Sequence, residues 1–131
     1  MMLTDQAFTQ FKTVLRSVKP FAKISDAELE QLAQRVKPIA IKPEQVIFAE
    51  GDIGHCLFVI LEGTVQVVTT SAEGQPIILS HLQAGDFFGA QSLLPGSSGT
   101  RSATLIATEK GTLLEVSAED FAAIVNQDSL L

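Results

Sequence analysis

The spacing of apolar residues changes at Pro38, and this change constrains the fold more than any other feature of the sequence. Before Pro38 the apolar residues recur at every third or fourth position, which is typical of helices. After Pro38 they alternate with polar residues over short segments, which is typical of strands with one buried face. The alternating segments contain Ile39 and Ile41, Val46 and Phe48, Leu57, Val59 and Leu61, Val65 and Val67, Ile77 and Leu79, Leu105, Leu113 and Val116.

Turn signals such as Glu50-Gly51-Asp52 and Ala84-Gly85-Asp86 separate these segments. About eight short strands joined by tight turns predict an antiparallel eight-stranded jelly-roll barrel, also called a double-stranded β-helix. The predicted fold class is therefore mainly β with flanking helices.

Two helices are predicted before the strands and a short one after them. The first has an apolar stripe of Phe8, Phe11, Leu15 and Val18. The second begins with a capping box at Ser25 and Glu28 and ends near Val36 and Lys37, because Pro38 disfavours helix in the residue before it. The third begins at Ser117. The prediction is one domain over residues 1–131, with N-terminal helices at 1–37, the barrel at 38–116 and a C-terminal helix at 117–131.

The composition suits one soluble domain. Hydrophobic residues make up 46% of the 131 residues, which is enough for a single packed core. No apolar run approaches the ~20 residues that span a bilayer, and the N-terminus does not resemble a signal peptide. Cys56 is the only cysteine, which excludes a disulfide framework. We therefore expect a cytoplasmic location and no membrane span.

The charge is divided unevenly along the chain. Residues 1–42 carry seven cations against four acidic residues, a net charge of +3. Residues 43–131 hold only Arg101 and Lys110 against eleven acidic residues, a net charge of −9. Nucleic-acid binding depends on many phosphate contacts by cations, so we expect no direct binding of DNA or RNA.

Residues 85–94 and 100–104 predict a small anion site. They combine a glycine turn, one helical turn, a loop and a strand that begins near Arg101. Free backbone N–H groups at the start of a helical turn, facing a guanidinium, suit a singly charged phosphate. The alternative for Arg101 is a partly exposed strand residue paired with Asp86 or Glu115.

An enzyme is not predicted. His55 and His81 are the only histidines and form no His-x-His pair, so a metal-dependent jelly-roll enzyme lacks its ligands. A haem site with His81 and Cys56 would rest on two isolated residues, and Cys56 is better explained as a small buried apolar residue. No cofactor is expected.

Four segments in order resemble the cyclic nucleotide-binding domain family. They are residues 43–52, which contain Phe48-Ala49-Glu50-Gly51-Asp52, then residues 57–65, residues 85–89 and residues 101–104. The resemblance covers nearly the whole chain. It implies a phosphate-binding cassette over residues 87–104, in which Arg101 pairs with the cyclic phosphate through two parallel hydrogen bonds.

The resemblance also implies roles for the neighbours of Arg101. Backbone N–H groups of Gly89, Ala90 and Gln91 and the hydroxyl of Ser102 would contact the phosphate. Weaker candidates for the pocket wall are Phe88, Ser92, Leu93, Thr104, Leu79, Val65 and Val67.

Two features depart from the family pattern. Binding members usually have glutamate in place of Ala90, where it accepts a hydrogen bond from the ribose 2′-hydroxyl. Losing that bond costs roughly 1.5–3 kcal/mol, so affinity should fall about tenfold to a hundredfold. The family's long lid helix over the base is also not present before Leu131, so either this chain is a fragment of a larger protein or another chain supplies the lid. Both cases would lower affinity and base selectivity in isolation.

The predicted function is a regulatory sensor domain that binds a cyclic nucleotide weakly and signals to a fused or partner protein. Cyclic AMP is favoured over cyclic GMP as the ligand. The sequence does not decide between a monomer and a homodimer. The alternative is a jelly-roll docking module that binds no nucleotide.

Overall fold

The computed structural model describes residues 5–17, 21–93 and 96–129, with side chains over 9–17, 21–93 and 96–123. The elements in chain order are α1 (Asp5–Ser17), α2 (Asp26–Arg35), β1 (Lys37–Ile41), β2 (Val46–Phe48), β3 (Cys56–Glu62), β4 (Val65–Thr70), β5 (Pro76–Leu82), β6 (Phe87–Phe88), β7 (Thr104–Ala107), β8 (Gly111–Ser117) and α3 (Ala118–Ser129). A 3₁₀ turn, Gln91–Leu93, follows β6. Leu94 of the predicted anion segment, and the side chains of Phe8 and Val18, lie outside the described residues.

The eight strands of the described residues form two antiparallel sheets, in the orders β1-β8-β3-β6 and β2-β7-β4-β5. Consecutive strands lie in opposite sheets except for the β4–β5 hairpin, and this connectivity is that of a jelly roll. The predicted fold class is thereby confirmed. None of the helices in the described part of the chain has the length and hydrophobicity needed to cross a bilayer.

Strand β3 has two buried faces and so joins two apolar cores. Leu57 and Val59 pack with the helices in one core, whereas Phe58 and Ile60 pack between the sheets in the other. The alternation predicted for this strand is replaced by five consecutive buried residues. The reason is that helices cover the outer face of the sheet, so neither side of β3 faces water.

The helices pack on that outer face as their sequence predicts. Phe11 and Leu15 of α1 are 3% and 0% exposed. The hydroxyl of Ser25 accepts a hydrogen bond from the N–H of Glu28, which confirms the predicted cap of α2. The hydroxyl of Ser117 likewise accepts from the N–H of Asp120 at the start of α3. These caps fix where α2 and α3 begin relative to the sheet.

Strand β5 is the exposed edge of its sheet. It pairs with β4 only, and Ile77, Ile78 and Leu79 are 43%, 52% and 56% exposed. The predicted alternation of buried and exposed residues is absent here, because none of the elements in the described part of the chain buries either side of residues 76–81.

Candidate anion-binding site

A cavity of about 190 Å³ opens between β6, the 3₁₀ turn and the segment before β7. It is lined by Phe87, Phe88, Gly89, Ala90, Gln91, Ser92, Arg101 and Ser102. A second cavity of about 360 Å³ shares Gln91, Ser92 and Ser102 with the first and continues along the loop toward Ser98 and Thr100. Pockets for drug-sized ligands usually hold roughly 300–1,000 Å³, so the first cavity suits a small anionic group with the rest of a ligand outside it.

The main chain of Arg101 is held by the Glu-Gly-Asp turn of residues 49–54. The N–H of Arg101 donates to the carbonyl of Asp52 at 2.7 Å, and the N–H of Gly51 donates to the carbonyl of Arg101 at 2.8 Å. Beside them the N–H of Gly54 donates to the carbonyl of Gly99 at 2.9 Å. This turn therefore fixes the position at which the arginine side chain enters the site.

The guanidinium of Arg101 is buried without an anionic partner in the described part of the chain. Arg101 is only 5% exposed, and neither of the ion pairs among the described side chains includes it. Its Nη1 donates to the carbonyl of Gly89 and to the hydroxyl of Ser92, each at 3.1 Å. Its Nε has no hydrogen-bond partner. Burying a charge is costly unless it is paired, so this side chain is prepared for an anion that the fold does not supply.

Aromatic side chains complete the surroundings of the guanidinium. Its carbon Cζ lies 4.2 Å from the centre of the Phe48 ring and 5.9 Å from that of Phe58. Phe48 in turn stacks on Phe88, with ring centres 5.5 Å apart. A cation over an aromatic face is attracted by the ring quadrupole, so these rings hold the charge in place without neutralising it.

Two glycines leave room for the arginine. Gly89 has φ +102°, and a Cβ built there would lie 2.5 Å from Nη1 of Arg101. A Cβ built on Gly54 would overlap the side chain of Ser92 and lie 3.1 Å from Cζ of Arg101. A side chain at Gly89 would force the guanidinium to move, and one at Gly54 would displace Ser92, which accepts from the guanidinium, since Cβ contacts under 3.0 Å are essentially never seen.

Cys56 connects Arg101 to Glu115. The Cys56 thiol donates to Oε1 of Glu115 at 3.4 Å, and its sulfur accepts from Nη2 of Arg101 at 3.7 Å. Burial, followed by the charge of Glu115, raises the pKa of Cys56 to about 11, while Arg101 opposes the rise. Cys56 is buried, as predicted, but it is also a polar contact of the site.

The sequence-predicted site residues divide into two groups. Gly89, Ala90, Gln91, Arg101, Ser102, Phe88 and Ser92 line the first cavity. Leu93, Thr104, Leu79, Val65 and Val67 do not line it. Val65 and Val67 are buried between the sheets, Leu79 is exposed on β5, and the hydroxyl of Thr104 accepts from the N–H of Glu50.

The alternative for Arg101, a partly exposed strand residue paired with Asp86 or Glu115, is wrong: Arg101 is buried and forms an ion pair with neither residue. The carboxylate of Asp86 accepts from the N–H of Gln83, and that of Glu115 reaches Arg101 only through Cys56. Sequence reasoning missed Phe48, Gly54 and Cys56 as surroundings of Arg101, and it considered Glu115 only as a direct partner of an exposed arginine. Only Gly54 carries a local signal, a glycine close after the Glu-Gly-Asp turn; the other contacts arise from strand pairing across the sheets.

The family of this chain follows from the match of a family model. The model for the cyclic nucleotide-binding domain matches residues 38–128, which include the described strands except the first residue of β1, and the cavity. The chain belongs to the cyclic nucleotide-binding domain family. Domains of this family are regulatory ligand-binding units, and the cavity around Arg101 lies within the matched residues.

Known cyclic nucleotide-binding proteins share part of their length with this chain. It is 35% identical over 102 residues to the cyclic AMP receptor protein of Thermus thermophilus, covering 78% of this chain and 44% of that protein. It is 33% identical over 116 residues to a cyclic nucleotide-gated potassium channel of Rhizobium etli, covering 88% of this chain and 30% of the channel. The chain thus spans less than half the length of these relatives.

The fold agrees with solved structures of the family. The regulatory domain of Toxoplasma gondii PKA, crystallised with cAMP, superposes with a TM-score of 0.88 at 23% identity, covering 94% of this chain and 46% of that one. The described residues contain no group of three or more His, Cys, Asp or Glu side chains that could hold a metal ion.

Proposed function

We propose that this domain binds a cyclic nucleotide, with cyclic AMP preferred to cyclic GMP, and regulates a fused or partner protein. The observation that carries the proposal is the buried guanidinium of Arg101, which lines a cavity and has neither a carboxylate partner nor a partner for Nε. A cyclic phosphate carries one negative charge and two free oxygens, which match the fork of donors on arginine. Preference for cyclic AMP is supported by the 35% identity to a cyclic AMP receptor protein.

The contacts to the phosphate are assigned to one face of the cavity. Arg101 supplies the charge, the backbone of Gly89, Ala90 and Gln91 supplies N–H donors, and Ser102 supplies a hydroxyl. These residues line the same cavity. The 3₁₀ turn is three residues long, so individual N–H groups rather than a helix dipole carry this contribution.

Binding is weak because the ribose side of the cavity offers no carboxylate. Ala90 lines the cavity and is half-buried, with its methyl group packed against the core beneath the helices. A methyl group accepts no hydrogen bond, so the ribose 2′-hydroxyl loses about 1.5–3 kcal/mol of interaction. The affinity is then about tenfold to a hundredfold below that of a domain with glutamate at this position.

The signal passes through the core that the cassette shares with α3. Ala90 and Leu93 pack against the same apolar cluster as Phe121 of α3. Ligand would draw the turn toward Arg101 and change this packing, which shifts the population of α3 positions.

Calorimetry and thermal unfolding with cyclic AMP and cyclic GMP test the proposal. Ligand at 100 times its Kd should add roughly 2.7 kcal/mol to the free energy of unfolding. Ala90→Glu should tighten binding of a ribose-containing ligand by about tenfold to a hundredfold. A folded protein that shows no shift at about millimolar ligand, with and without the Ala90→Glu change, would contradict the proposal.

A docking module without nucleotide is the second candidate. The burial of Ala90 against the helical core favours it, because the turn is then packed for stability rather than for a ligand. In that case Ala90→Glu would destabilise the fold and create no affinity. The same pair of measurements therefore separates the two functions.

A further inference from the structure

We propose that Glu115 is a positioning residue that acts through the Cys56 thiol to orient Arg101 and to weaken its attraction for an anionic ligand. This inference rests on the proposed function for its ligand, but its first test needs no ligand. It assigns to β8 a role in regulating the affinity of a cavity that β8 does not line.

The three side chains form one continuous chain of polar contacts. The thiol hydrogen of Cys56 is committed to Glu115 at 3.4 Å, so a lone pair of the sulfur faces Nη2 of Arg101 at 3.7 Å. Arg101 has two further acceptors, the carbonyl of Gly89 and the hydroxyl of Ser92, both on Nη1. The sulfur is thus the only acceptor of Nη2 among the described residues. It therefore fixes the rotation of the guanidinium.

Glu115 lies where its charge acts on Arg101. It is on the same face of β8 as Leu113, which packs between the sheets, and is paired across the strands with Phe58 of β3 and Lys37 of β1. Lys37 is exposed and forms no ion pair with Glu115 among the described contacts. The carboxylate therefore faces Arg101 through one thiol, close enough to offset part of the guanidinium charge.

The thiol also keeps the two charges apart. Without its sulfur, Arg101 and Glu115 could approach each other and form a direct ion pair. Such a pair would compete with an incoming phosphate for the same donors. Cys56 consequently has two effects: it orients the guanidinium, and it prevents the carboxylate from taking the place of the ligand.

Alkylation of Cys56 by iodoacetamide in the ligand-free protein is the first test. Glu115→Gln should speed the reaction near pH 9, because the negative charge that opposes thiolate formation is gone, and Arg101→Met should slow it. Glu73→Gln, which removes one charge from the exposed β4–β5 turn, is the matched control and should leave the rate unchanged. Equal alkylation rates in all four proteins would overturn the inference whether or not any nucleotide binds.

Affinity for cyclic AMP is the second test, measured by calorimetry. Glu115→Gln should tighten binding by about two- to tenfold, whereas Cys56→Ala should weaken it by about tenfold. Cys56→Ser, whose hydroxyl both donates and accepts, should keep the affinity near that of the natural protein. With Glu115→Gln already in place, Cys56→Ala should weaken binding by far less than about tenfold, because the direct ion pair with Arg101 can no longer form and the two effects are therefore not additive.

The two tests separate failure of this inference from failure of the proposed function. If the alkylation rates respond as expected but no variant binds cyclic AMP, the coupling exists and the proposed ligand is wrong. If the natural protein binds but Glu115→Gln binds equally or more weakly while folding normally, the positioning role is wrong. Additive effects in the double variant would indicate a purely structural role for Cys56 and would also contradict the inference.

Discussion

At the scale of single residues, Arg101 is costly in the ligand-free fold. Its guanidinium is buried and stacked on Phe48, yet none of its described contacts is with a carboxylate. Replacing a buried charge by an apolar side chain of similar size is often neutral or stabilising. The contacts that Arg101 makes leave few groups unsatisfied if it is removed, because the hydroxyl of Ser92 still donates to the carbonyl of Gly89.

Arg101→Met should therefore leave the free energy of unfolding unchanged or raise it by about 1–3 kcal/mol, while abolishing cyclic nucleotide binding. Urea unfolding and calorimetry measure the two effects. The matched control is Arg35→Met, which breaks the surface ion pair with Asp120 and should cost at most about 1 kcal/mol without affecting binding. A large loss of stability in Arg101→Met alone would show that its contacts outweigh the cost of burying it.

Cys56 makes the free energy of unfolding depend on pH in the alkaline range. Its pKa is about 11 in the fold against an ordinary 9.0, so the unfolded chain loses the thiol proton first as the pH rises. The contribution of this proton to the free energy of unfolding is complete below pH 9 and is lost between pH 9 and 11. The whole loss is about 2–3 kcal/mol. Unfolding measured across this range should show a steeper decline for the natural protein than for Cys56→Ser. Parallel curves would mean that the thiol titrates normally.

At the scale of elements, the turn after β6 depends on a glycine at one position. Gly89 has φ +102°, and a Cβ built there would lie only 2.5 Å from Nη1 of Arg101. Gly74 has φ +84°, but a Cβ built there would have no atom within 4 Å. Both positions favour glycine for backbone reasons, but only Gly89 also needs the space.

Gly89→Ala should thus destabilise the domain by about 1–3 kcal/mol and should also weaken ligand binding, because the guanidinium must move. Gly74→Ala, in the exposed β4–β5 turn, should cost about 1 kcal/mol or less and leave binding intact. Thermal unfolding and a titration with cyclic AMP compare the two variants. Equal effects on binding would show that the close approach of Gly89 and Arg101 is unimportant.

The elements themselves were largely predictable from the sequence, because period and capping are local. The caps at Ser25 and Ser117 and the change of period at Pro38 place the helices and strands correctly. The surroundings of Arg101 were not predictable, since Phe48 and Cys56 reach it from distant strands. The predicted apolar wall beside the sugar and base stays a prediction. Its residues do not line the cavity at Arg101, and period alone does not show which strands are covered, as for Leu79 on the exposed edge strand β5.

At the scale of the whole molecule, the charge distribution opposes an anionic ligand. Residues 43–131 carry a net charge of −9, and the cation that attracts the ligand is buried. Salt screens the exposed acidic residues far more than the buried guanidinium. The electric field of the acidic residues therefore slows the approach of a phosphate, whereas the nearby charge of Arg101 holds it once it is bound.

The association rate of cyclic AMP should consequently rise when the ionic strength rises from roughly 0.01 to 0.15 M, which is opposite to the behaviour of most charged ligands and their sites. Stopped-flow measurements over this range provide the test, with a neutral salt that binds no arginine. A rate that falls with salt would indicate that an exposed positive surface guides the ligand.

The enclosure of Arg101 has a consequence for the time course of folding. Its surroundings come from Phe48, Gly54, Cys56, Gly89 and Ser92, which are separated from it by between 9 and 53 positions in the chain. Contacts of long sequence separation pay a large loop-closure cost and tend to form after local structure. We therefore expect a bound nucleotide to lengthen the lifetime of the folded domain by slowing unfolding, with little change in the rate at which the chain folds.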